Sequence, residues 1–166
     1  MSSYRRLYGP GGTYHFVVCL ADRRRATLTG RLADLTDSFR AVRAQRPFET
    51  VAMAVMPDHL HAVWTLPPDD DDFSTRWRLI KHGFVRRLGA GGQGRRPGEA
   101  GLFQRRFWEH AVRGDEALGR HVNYVHWNPV KHGHVSDPDD WAPSTWHRWK
   151  QSYGRAEAPS EAPWTL

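Results

Sequence analysis

The stretch Met56–Pro67, MPDHLHAVWTLP, decides the fold, because a Pro-Asp turn is followed directly by a segment with alternating apolar residues. Alternation with a period of two predicts a β-strand from His59 to Leu66. The apolar face of this strand carries Leu60, Ala62, Trp64 and Leu66. His59 and His61 share the opposite face with their Cα atoms roughly 6.5 to 7 Å apart, a spacing at which two imidazoles can bind one metal ion. Taken alone, a His-x-His pair beside a turn is more often a half-exposed polar pair.

The segments on either side of this strand complete a strand–helix–strand–strand–helix–strand order. β-Branched and aromatic residues predict three further strands, at Thr13–Leu20, Thr50–Met56 and Phe107–Val112. Apolar residues spaced by three and four predict amphipathic helices, from about Thr29 to Arg46 and from about Phe73 to Leu88. This order predicts an α+β fold, a ferredoxin-like or RRM-like sandwich with an antiparallel sheet and helices. The glycine-rich residues 89–101 predict a flexible loop.

A third long helix is predicted from about Glu116 to Asn128, because Pro129 is expected to stop it. Its apolar stripe consists of Leu118, Val122 and Val125. Tyr124 and Asn128 are four residues apart and therefore adjacent on a second stripe, about a quarter turn away. One face of the helix can thus pack on the core while the neighbouring face presents a tyrosine and an amide.

The composition favours a globular protein with a polyanionic partner. The chain has 24 Lys and Arg against 18 Asp and Glu, a formal charge of +6. Arginines interleaved with aromatic residues suit phosphates and stacked bases, although a genome rich in G and C also raises the arginine content. The single cysteine, Cys19, excludes a disulfide framework and a cysteine-based zinc site. No apolar run approaches the roughly 18 residues of a membrane span, and no signal core is recognisable, which favours the cytoplasm.

One domain is predicted, over residues 1–154, because 166 residues suffice for a single buried core. A C-terminal extension follows the third helix, and its tryptophans Trp141, Trp146 and Trp149 either close the core or contact a nucleic acid. Residues 155–166, rich in Ala, Pro and Glu, have the composition of a disordered tail.

Four blocks of the chain are informative together. They are YRRLYGPGGTYHF from Tyr4, MPDHLHAVW from Met56, RRFWEHAVR from Arg105 and YVHWNPVKHGHV from Tyr124. In this order they resemble the REP-associated tyrosine transposases, a branch of the single-tyrosine HUH nucleases. The likeness extends from Tyr4 to about Trp149. Residues 142–146, APSTW, depart from the aromatic-Ser-Ser run usual in that family, which affects only the expected C-terminal contacts.

The resemblance implies an HUH nuclease sandwich that cleaves DNA with a divalent metal. His59 and His61 match the family's metal-binding histidines, and Asn128 matches the third ligand. The implied ion is Mg²⁺ or Mn²⁺, and no small-molecule cofactor is expected. Tyr124 matches the nucleophile, which attacks a DNA phosphodiester and forms a 5′-phosphotyrosine. Tyrosine hydroxyls are almost wholly protonated at neutral pH, so the nucleophile needs activation.

The implied substrate is single-stranded or hairpin DNA of the repetitive extragenic palindrome kind. The candidate DNA contacts are Arg5, Arg6, Arg105, Arg106, Lys131, Arg148 and Lys150. His121, on the stripe of the tyrosine, is a possible acid–base group. His132 and His134 are expected to line the DNA surface or to pack.

Two other functions are compatible with the same pattern. A non-catalytic RRM-like binder of nucleic acid would have the same sandwich and charge, and a metal-dependent hydrolase would use water at the His-x-His site. A monomer is favoured over a dimer, because the segment after Pro129 can hold the tyrosine helix in cis. A DNA substrate implies association with the nucleoid.

Overall fold

The structure, a computed structural model, describes residues 9–89 and 101–164. The predicted DNA contacts Arg5 and Arg6, and most of the glycine-rich loop, lie outside these residues. Within the described ranges, no helix is both long and apolar enough to cross a membrane.

The described part of the chain forms a sheet of four antiparallel strands in the order β2-β3-β1-β4. The strands are β1 Thr13–Cys19, β2 Glu49–Val55, β3 His59–Thr65 and β4 Trp108–Val112. The turn at Pro57 and Asp58 joins β2 and β3 as the predicted hairpin. In the β1–β3 register Val17 lies opposite His61 and Cys19 lies opposite His59. The predicted strands and the predicted antiparallel ferredoxin-like order are confirmed.

Within residues 9–89 and 101–164, five α-helices accompany the sheet: α1 Thr27–Gly30, α2 Leu32–Gln45, α3 Phe73–Arg87, α4 Asp115–Lys131 and α5 Trp146–Tyr153. The single helix predicted from Thr29 to Arg46 is divided at Arg31, where φ is −128°. Glycine has low helix propensity, so Gly30 favours this break. The short α1 is held on the hairpin turn, because the Leu28 amide donates to the Pro57 carbonyl at 3.0 Å.

The main hydrophobic core lies between one face of the sheet and helices α2 and α3. As predicted, β3 contributes its apolar face to this core, and β1 contributes Tyr14, Phe16 and Val18. Trp64 of β3 stacks on Trp77 of α3 with ring centroids 4.2 Å apart and planes 13° apart. Because α2 and α3 cover this face, the opposite face of β3, which carries the histidines, can contact only other parts of the chain or solvent.

Helix α4 covers that opposite face of the sheet. Val122 and Val125 form a second buried cluster with Ala52, Ala54 and Val63, so the predicted apolar stripe is confirmed. The helix does not stop before Pro129 as predicted but continues to Lys131. Proline removes one helical hydrogen bond, yet Pro129 is buried and the His132 amide still donates to the Asn128 carbonyl at 2.9 Å. Packing therefore overrides the local preference, and the helix carries Lys131 and His132 towards the site.

The C-terminal extension attaches to the edge of β2. The Thr145 amide donates to the Met53 carbonyl at 2.8 Å, and the Val55 amide donates to the Pro143 carbonyl at 2.9 Å. His126 of α4 bonds the Thr145 hydroxyl through Nε2 at 2.8 Å. Trp146 is fully buried, so this tryptophan closes the core, the first of the two roles considered for it.

Two residues after α5 contact helix α4 through their backbone carbonyls. The Asn123 side-chain amide donates to the Glu157 carbonyl at 2.6 Å, and the Trp127 indole donates to the Ala156 carbonyl at 3.2 Å. Asn123 and Trp127 of α4 thus supply hydrogen-bond donors to the backbone of this segment.

The buried His126 predicts a fold that weakens in acid. Burial, and secondarily the charge of Arg148, lowers the pKa of His126 to about 4. An unfolded chain takes up this proton near pH 6.5, so the free energy of unfolding falls between pH 6.5 and 4, by roughly 3 kcal/mol for one such group. Denaturant unfolding at several pH values should show a flatter pH dependence for His126→Gln than for the wild type.

The exposed His82 of α3 provides the matched control. His82→Gln should keep the pH dependence of the wild type. Equal slopes for His126→Gln and the wild type between pH 6.5 and 4 would show that His126 is not held neutral by the fold.

Candidate functional site

The face of the sheet beneath α4 is rich in histidine. His59 and His61 project from β3, His15 from β1 and His110 from β4, because alternate residues of neighbouring strands share a face. His15, His59 and His61 are buried. Their burial lowers the pKa of each below the ordinary histidine value, so they stay neutral at pH 7 and keep a lone pair for a ligand.

Three of the histidines lie close enough together to bind one metal ion. One ring nitrogen each of His59, His61 and His132 lies within 4.8 Å of the others. His59 and His61 are buried, whereas His132 is exposed at the C-terminal end of α4. Partial desolvation of its ring and the nearby His59 and His134 lower the pKa of His132. Neutral imidazole is the ligand form for transition metals, so the donor set fits a divalent ion.

Both strand histidines are oriented by partners at Nδ1. The Nδ1 of His59 lies 2.7 Å from the Asp58 carboxylate, which also accepts from Arg23 at 2.6 Å. Although burial raises the pKa of Asp58, the hydrogen bonds from His59 and Arg23 bring it below its ordinary value. The ionised carboxylate can only accept, so Nδ1 of His59 carries the proton and Nε2 carries the lone pair. The Nδ1 of His61 is bonded to His15 at 3.1 Å.

Asn128 lies on α4 one turn after Tyr124, and its side-chain oxygen is buried. The side-chain NH₂ of Asn128 donates to the Tyr124 carbonyl at 2.9 Å, which fixes the amide. Its Oδ1 is buried and has no hydrogen-bond partner among the described residues. Leaving a buried carbonyl oxygen unpaired is costly, so a bound cation is a chemically suitable partner for it.

Tyr124 lies beside the histidines on the covering helix. Its ring centroid is 5.8 Å from that of His61, and its hydroxyl accepts a hydrogen bond from the Lys131 ammonium at 2.8 Å. The residue is 7% exposed, and a cavity of about 390 Å³ reaches Tyr124 and Lys131. The ring of Trp164 packs edge-on against Tyr124 with centroids 4.8 Å apart, so the C-terminal segment covers part of the site.

His121, the possible acid–base group, is buried next to the tyrosine. Burial, the nearby His110 and Arg120 lower the pKa of His121 to about 4. Its Nδ1 is bonded to His15 at 2.8 Å, so Nε2 is the nitrogen available for other chemistry.

Positive charge borders the histidine cluster on one side. A cavity of about 270 Å³ is lined by Arg23, Arg24 and Arg25 together with His59 and His132. Arg23 pairs with Asp58, and Arg24 pairs with Asp22. The three consecutive arginines therefore reach the same opening as the candidate metal ligands.

The predicted DNA contacts have different surroundings. Arg105 and Arg106 are exposed before β4, and Lys131 is bonded to Tyr124. Arg148 donates to the Thr50 carbonyl at 3.0 Å, and Lys150 pairs with Asp139 at 2.6 Å. The last two side chains thus have partners within the chain.

The sequence patterns point to His59, His61, Tyr124 and Asn128 but not to the neighbouring His15 and His132. His132 follows Asn128 by four residues, the same spacing as Asn128 from Tyr124. A helix extended through Pro129 would have placed it on that stripe. His15 has no local signature, because only the pairing of β1 with β3 brings it to His61.

Comparison with known proteins assigns the family. Residues 10–128 match the family described as "Transposase IS200 like". The REP-associated tyrosine transposase of Escherichia coli K12 is 45% identical over 148 residues, which cover 89% of this chain and 84% of the relative. The chain belongs to the IS200-like transposases, in the REP-associated tyrosine branch. The predicted family is therefore confirmed, and with it the assignment to enzymes that act on DNA.

Other relatives agree with this assignment. The putative REP-associated tyrosine transposase of Haemophilus influenzae is 39% identical over 153 residues, covering 89% of this chain and 87% of the relative. The fold matches a solved REP-associated tyrosine transposase bound to a REP hairpin with a TM-score of 0.85 and 40% identity, covering 98% of this chain and 96% of that one. This match confirms the predicted fold class.

The contact between Asp58 and His59 predicts the direction of one titration. The hydrogen bond and the negative charge of Asp58 raise the pKa of His59, against the lowering by burial. Asp58→Asn removes that charge, so the pKa of His59 should fall further below its ordinary value. An NMR titration of the metal-free protein in a chelator should show the His59 midpoint at lower pH in the variant. Asp22→Asn, which removes the partner of Arg24, should leave that midpoint unchanged. A higher midpoint in Asp58→Asn would contradict the assignment.

Proposed function

We propose that the chain is a metal-dependent endonuclease and strand transferase of single-stranded DNA, which acts on hairpins of the REP kind through a 5′-phosphotyrosine at Tyr124. The observation that carries this proposal is the position of Tyr124. Its ring lies 5.8 Å from that of His61, and its hydroxyl is bonded to Lys131, beside three imidazoles able to hold a cation. Phosphodiester transesterification needs a nucleophile, a positive charge beside it and a metal ion at the phosphate. Candidates for all three lie where α4 covers the histidine-rich face of the sheet.

The reaction forms a bond between the Tyr124 oxygen and phosphorus and breaks the bond from phosphorus to the 3′ oxygen. The tyrosine loses its proton, and the departing strand gains one at its 3′-hydroxyl. The Lys131 ammonium, 2.8 Å from the hydroxyl, stabilises the phenolate that develops as the proton leaves. His121 remains the candidate acid–base group, acting through Nε2. The intermediate conserves the phosphodiester energy, so the strand can be rejoined.

The proposed ligands are His59 and His61 through Nε2, with Asn128 through Oδ1 and His132 as a further donor. A divalent ion bound there would neutralise charge on the scissile phosphate and orient it for in-line attack. Imidazole donors suit later transition metals better than Mg²⁺, which prefers oxygen, so Mn²⁺ is the better fit of the two implied ions.

The proposed substrate is supported by a relative and by charge. A solved structure at 40% identity is that of a transposase bound to a REP hairpin. The cavity that Arg25, His59 and His132 line has positive charge next to the candidate metal ligands, which suits a backbone phosphate of an unpaired strand. Arg105 and Arg106 are exposed and remain proposed contacts, as do Arg5 and Arg6.

We also propose that the protein acts as a monomer on chromosomal DNA in the cytoplasm. Helix α4 contacts β2 and β3 of its own chain and brings Tyr124 to His61 of the same chain. The extension fastens this arrangement in cis through the bond between His126 and Thr145. A site completed within one chain needs no exchange of helices between subunits.

The test of the proposed function is covalent trapping. Labelled hairpin DNA with a single-stranded flank, incubated with Mn²⁺, should give an adduct with the wild-type protein that resists SDS. Tyr124→Phe should abolish both adduct and cleavage, because phenylalanine offers no nucleophilic oxygen. Tyr153→Phe is the control, since Tyr153 is 73% exposed on α5, and it should behave as the wild type.

Two outcomes would separate the alternatives. Strand cleavage that persists in Tyr124→Phe would identify water as the nucleophile and the chain as a hydrolase. Hairpin binding without cleavage by any variant would instead indicate a non-catalytic binder of nucleic acid.

The position of His132 predicts its effect on metal binding. If its imidazole completes the ligand set, His132→Ala should weaken Mn²⁺ binding about tenfold or more in calorimetric titration. His134→Ala is the matched control, because His134 stacks on Trp141 and is not among the three clustered nitrogens. Unchanged affinity in His132→Ala, together with loss in Asn128→Ala, would leave Asn128 as the third ligand and exclude His132.

A further inference from the structure

His15 of β1 connects a candidate metal ligand to the tyrosine helix. Its side chain is fully buried, and each ring nitrogen has one imidazole partner. Nε2 of His15 lies 3.1 Å from Nδ1 of His61, and Nδ1 of His15 lies 2.8 Å from Nδ1 of His121. No step of the proposed reaction uses His15, yet it occupies the only described hydrogen-bond contact to the ring of His61.

The protons in this chain of rings can be ordered in only two ways. A neutral imidazole carries one N–H and one lone pair, so each of the two hydrogen bonds contains one proton. If His61 is to bind a cation through Nε2, its proton lies on Nδ1 and is donated to Nε2 of His15. His15 then carries its own proton on Nδ1 and donates it to Nδ1 of His121. The reverse order protonates Nε2 of His61 and prevents it from binding a metal.

The two strand histidines therefore receive the same orientation by different means. His59 donates from Nδ1 to the Asp58 carboxylate, which can only accept. His61 donates to a neutral ring that can either accept or donate, so the direction of its hydrogen bond depends on what His15 bonds next. The partner there is His121, whose Nδ1 accepts in the order that leaves Nε2 of His61 free.

We propose that His15 is a positioning residue that holds His61 in the tautomer whose Nε2 binds the divalent ion, with His121 fixing the direction of the hydrogen bonds. The inference rests on the proposed metal-dependent function and replaces the acid–base role of His121, because a proton on Nε2 leaves that nitrogen no lone pair with which to accept another proton. It predicts a shared proton order, with protons on Nδ1 of His61, Nδ1 of His15 and Nε2 of His121.

The first measurement is the tautomer of His61. Long-range ¹H–¹⁵N correlation spectra of histidine-labelled protein, without metal and with diamagnetic Zn²⁺, distinguish Nδ1–H from Nε2–H. The wild type should show His61 as Nδ1–H in both states. In His15→Phe, which keeps a ring of similar size but no acceptor, the Nε2–H form of metal-free His61 should become populated.

The second measurement is Mn²⁺ affinity by calorimetry, with circular dichroism and thermal unfolding to establish folding. His15→Phe should weaken binding about tenfold to 100-fold, the usual cost of losing the partner of a metal-binding histidine. His15→Gln should restore most of the affinity, because its amide oxygen accepts from Nδ1 of His61 without needing His121. A purely structural role would give no such recovery.

His110→Phe is the matched control. His110 lies on the same face and stacks on His121 with ring centroids 5.2 Å apart, but no ring-nitrogen hydrogen bond to it is described. This variant should keep the wild-type affinity and tautomer. His121→Phe should give a mixture of His61 tautomers. This variant tests the proposed proton order even if His15→Phe does not fold.

The inference and the proposed function fail in different ways. His61 found as Nε2–H in the metal-free wild type, or an unchanged tautomer and affinity in His15→Phe, would overturn the role of His15. A wild-type protein that binds no Mn²⁺ but keeps the predicted proton order would overturn the metal site and leave the role of His15 in orienting His61 intact.

Discussion

The site depends on the packing of α4 against the small residues of β2. Val122 and Val125 lie on Ala52 and Ala54, where short side chains let the helix approach the sheet closely. Because Tyr124 lies between the two valines in sequence, this packing determines how near its ring comes to His61 on β3. The covering helix thus holds Tyr124, the proposed nucleophile, and β3 holds His59 and His61, two of the proposed metal ligands.

Burial gives the histidine-rich face its chemical character. In water a cluster of imidazoles would be partly protonated near pH 6.5 and would repel a cation. Here desolvation lowers the pKa of His15, His59 and His61, so their lone pairs remain available at neutral pH. The same burial that keeps these imidazoles neutral makes the folded state less stable in acid. Asp58, which pairs with Arg23, contacts Nδ1 of His59, and His15 contacts Nδ1 of His61, so Nε2 is the free nitrogen proposed as the metal ligand in each ring.

Much of the fold was predictable because its periodicities are clear. The alternation in β3 separated the apolar face from the histidines, and the stripe on α4 predicted which side would pack. The end of α4 was not predictable from local preference, since Pro129 indicates a stop and tertiary packing carries the helix past it. His132 was therefore not assigned to the site. His15 requires knowledge of strand register, which no local pattern supplies. The contacts of Trp164 with Tyr124 and His15 likewise depend on the folded surface.

The proposed site requires one divalent ion that joins the two strand histidines to the tyrosine helix. Diffraction at the manganese edge, from crystals of the wild-type chain with Mn²⁺ and a hairpin DNA, tests this requirement most directly. We expect one anomalous peak, at bonding distance from Nε2 of His59 and Nε2 of His61, with the Tyr124 hydroxyl facing the bound phosphate. Manganese bonded through Nδ1 of either histidine, or bound away from both, would contradict it.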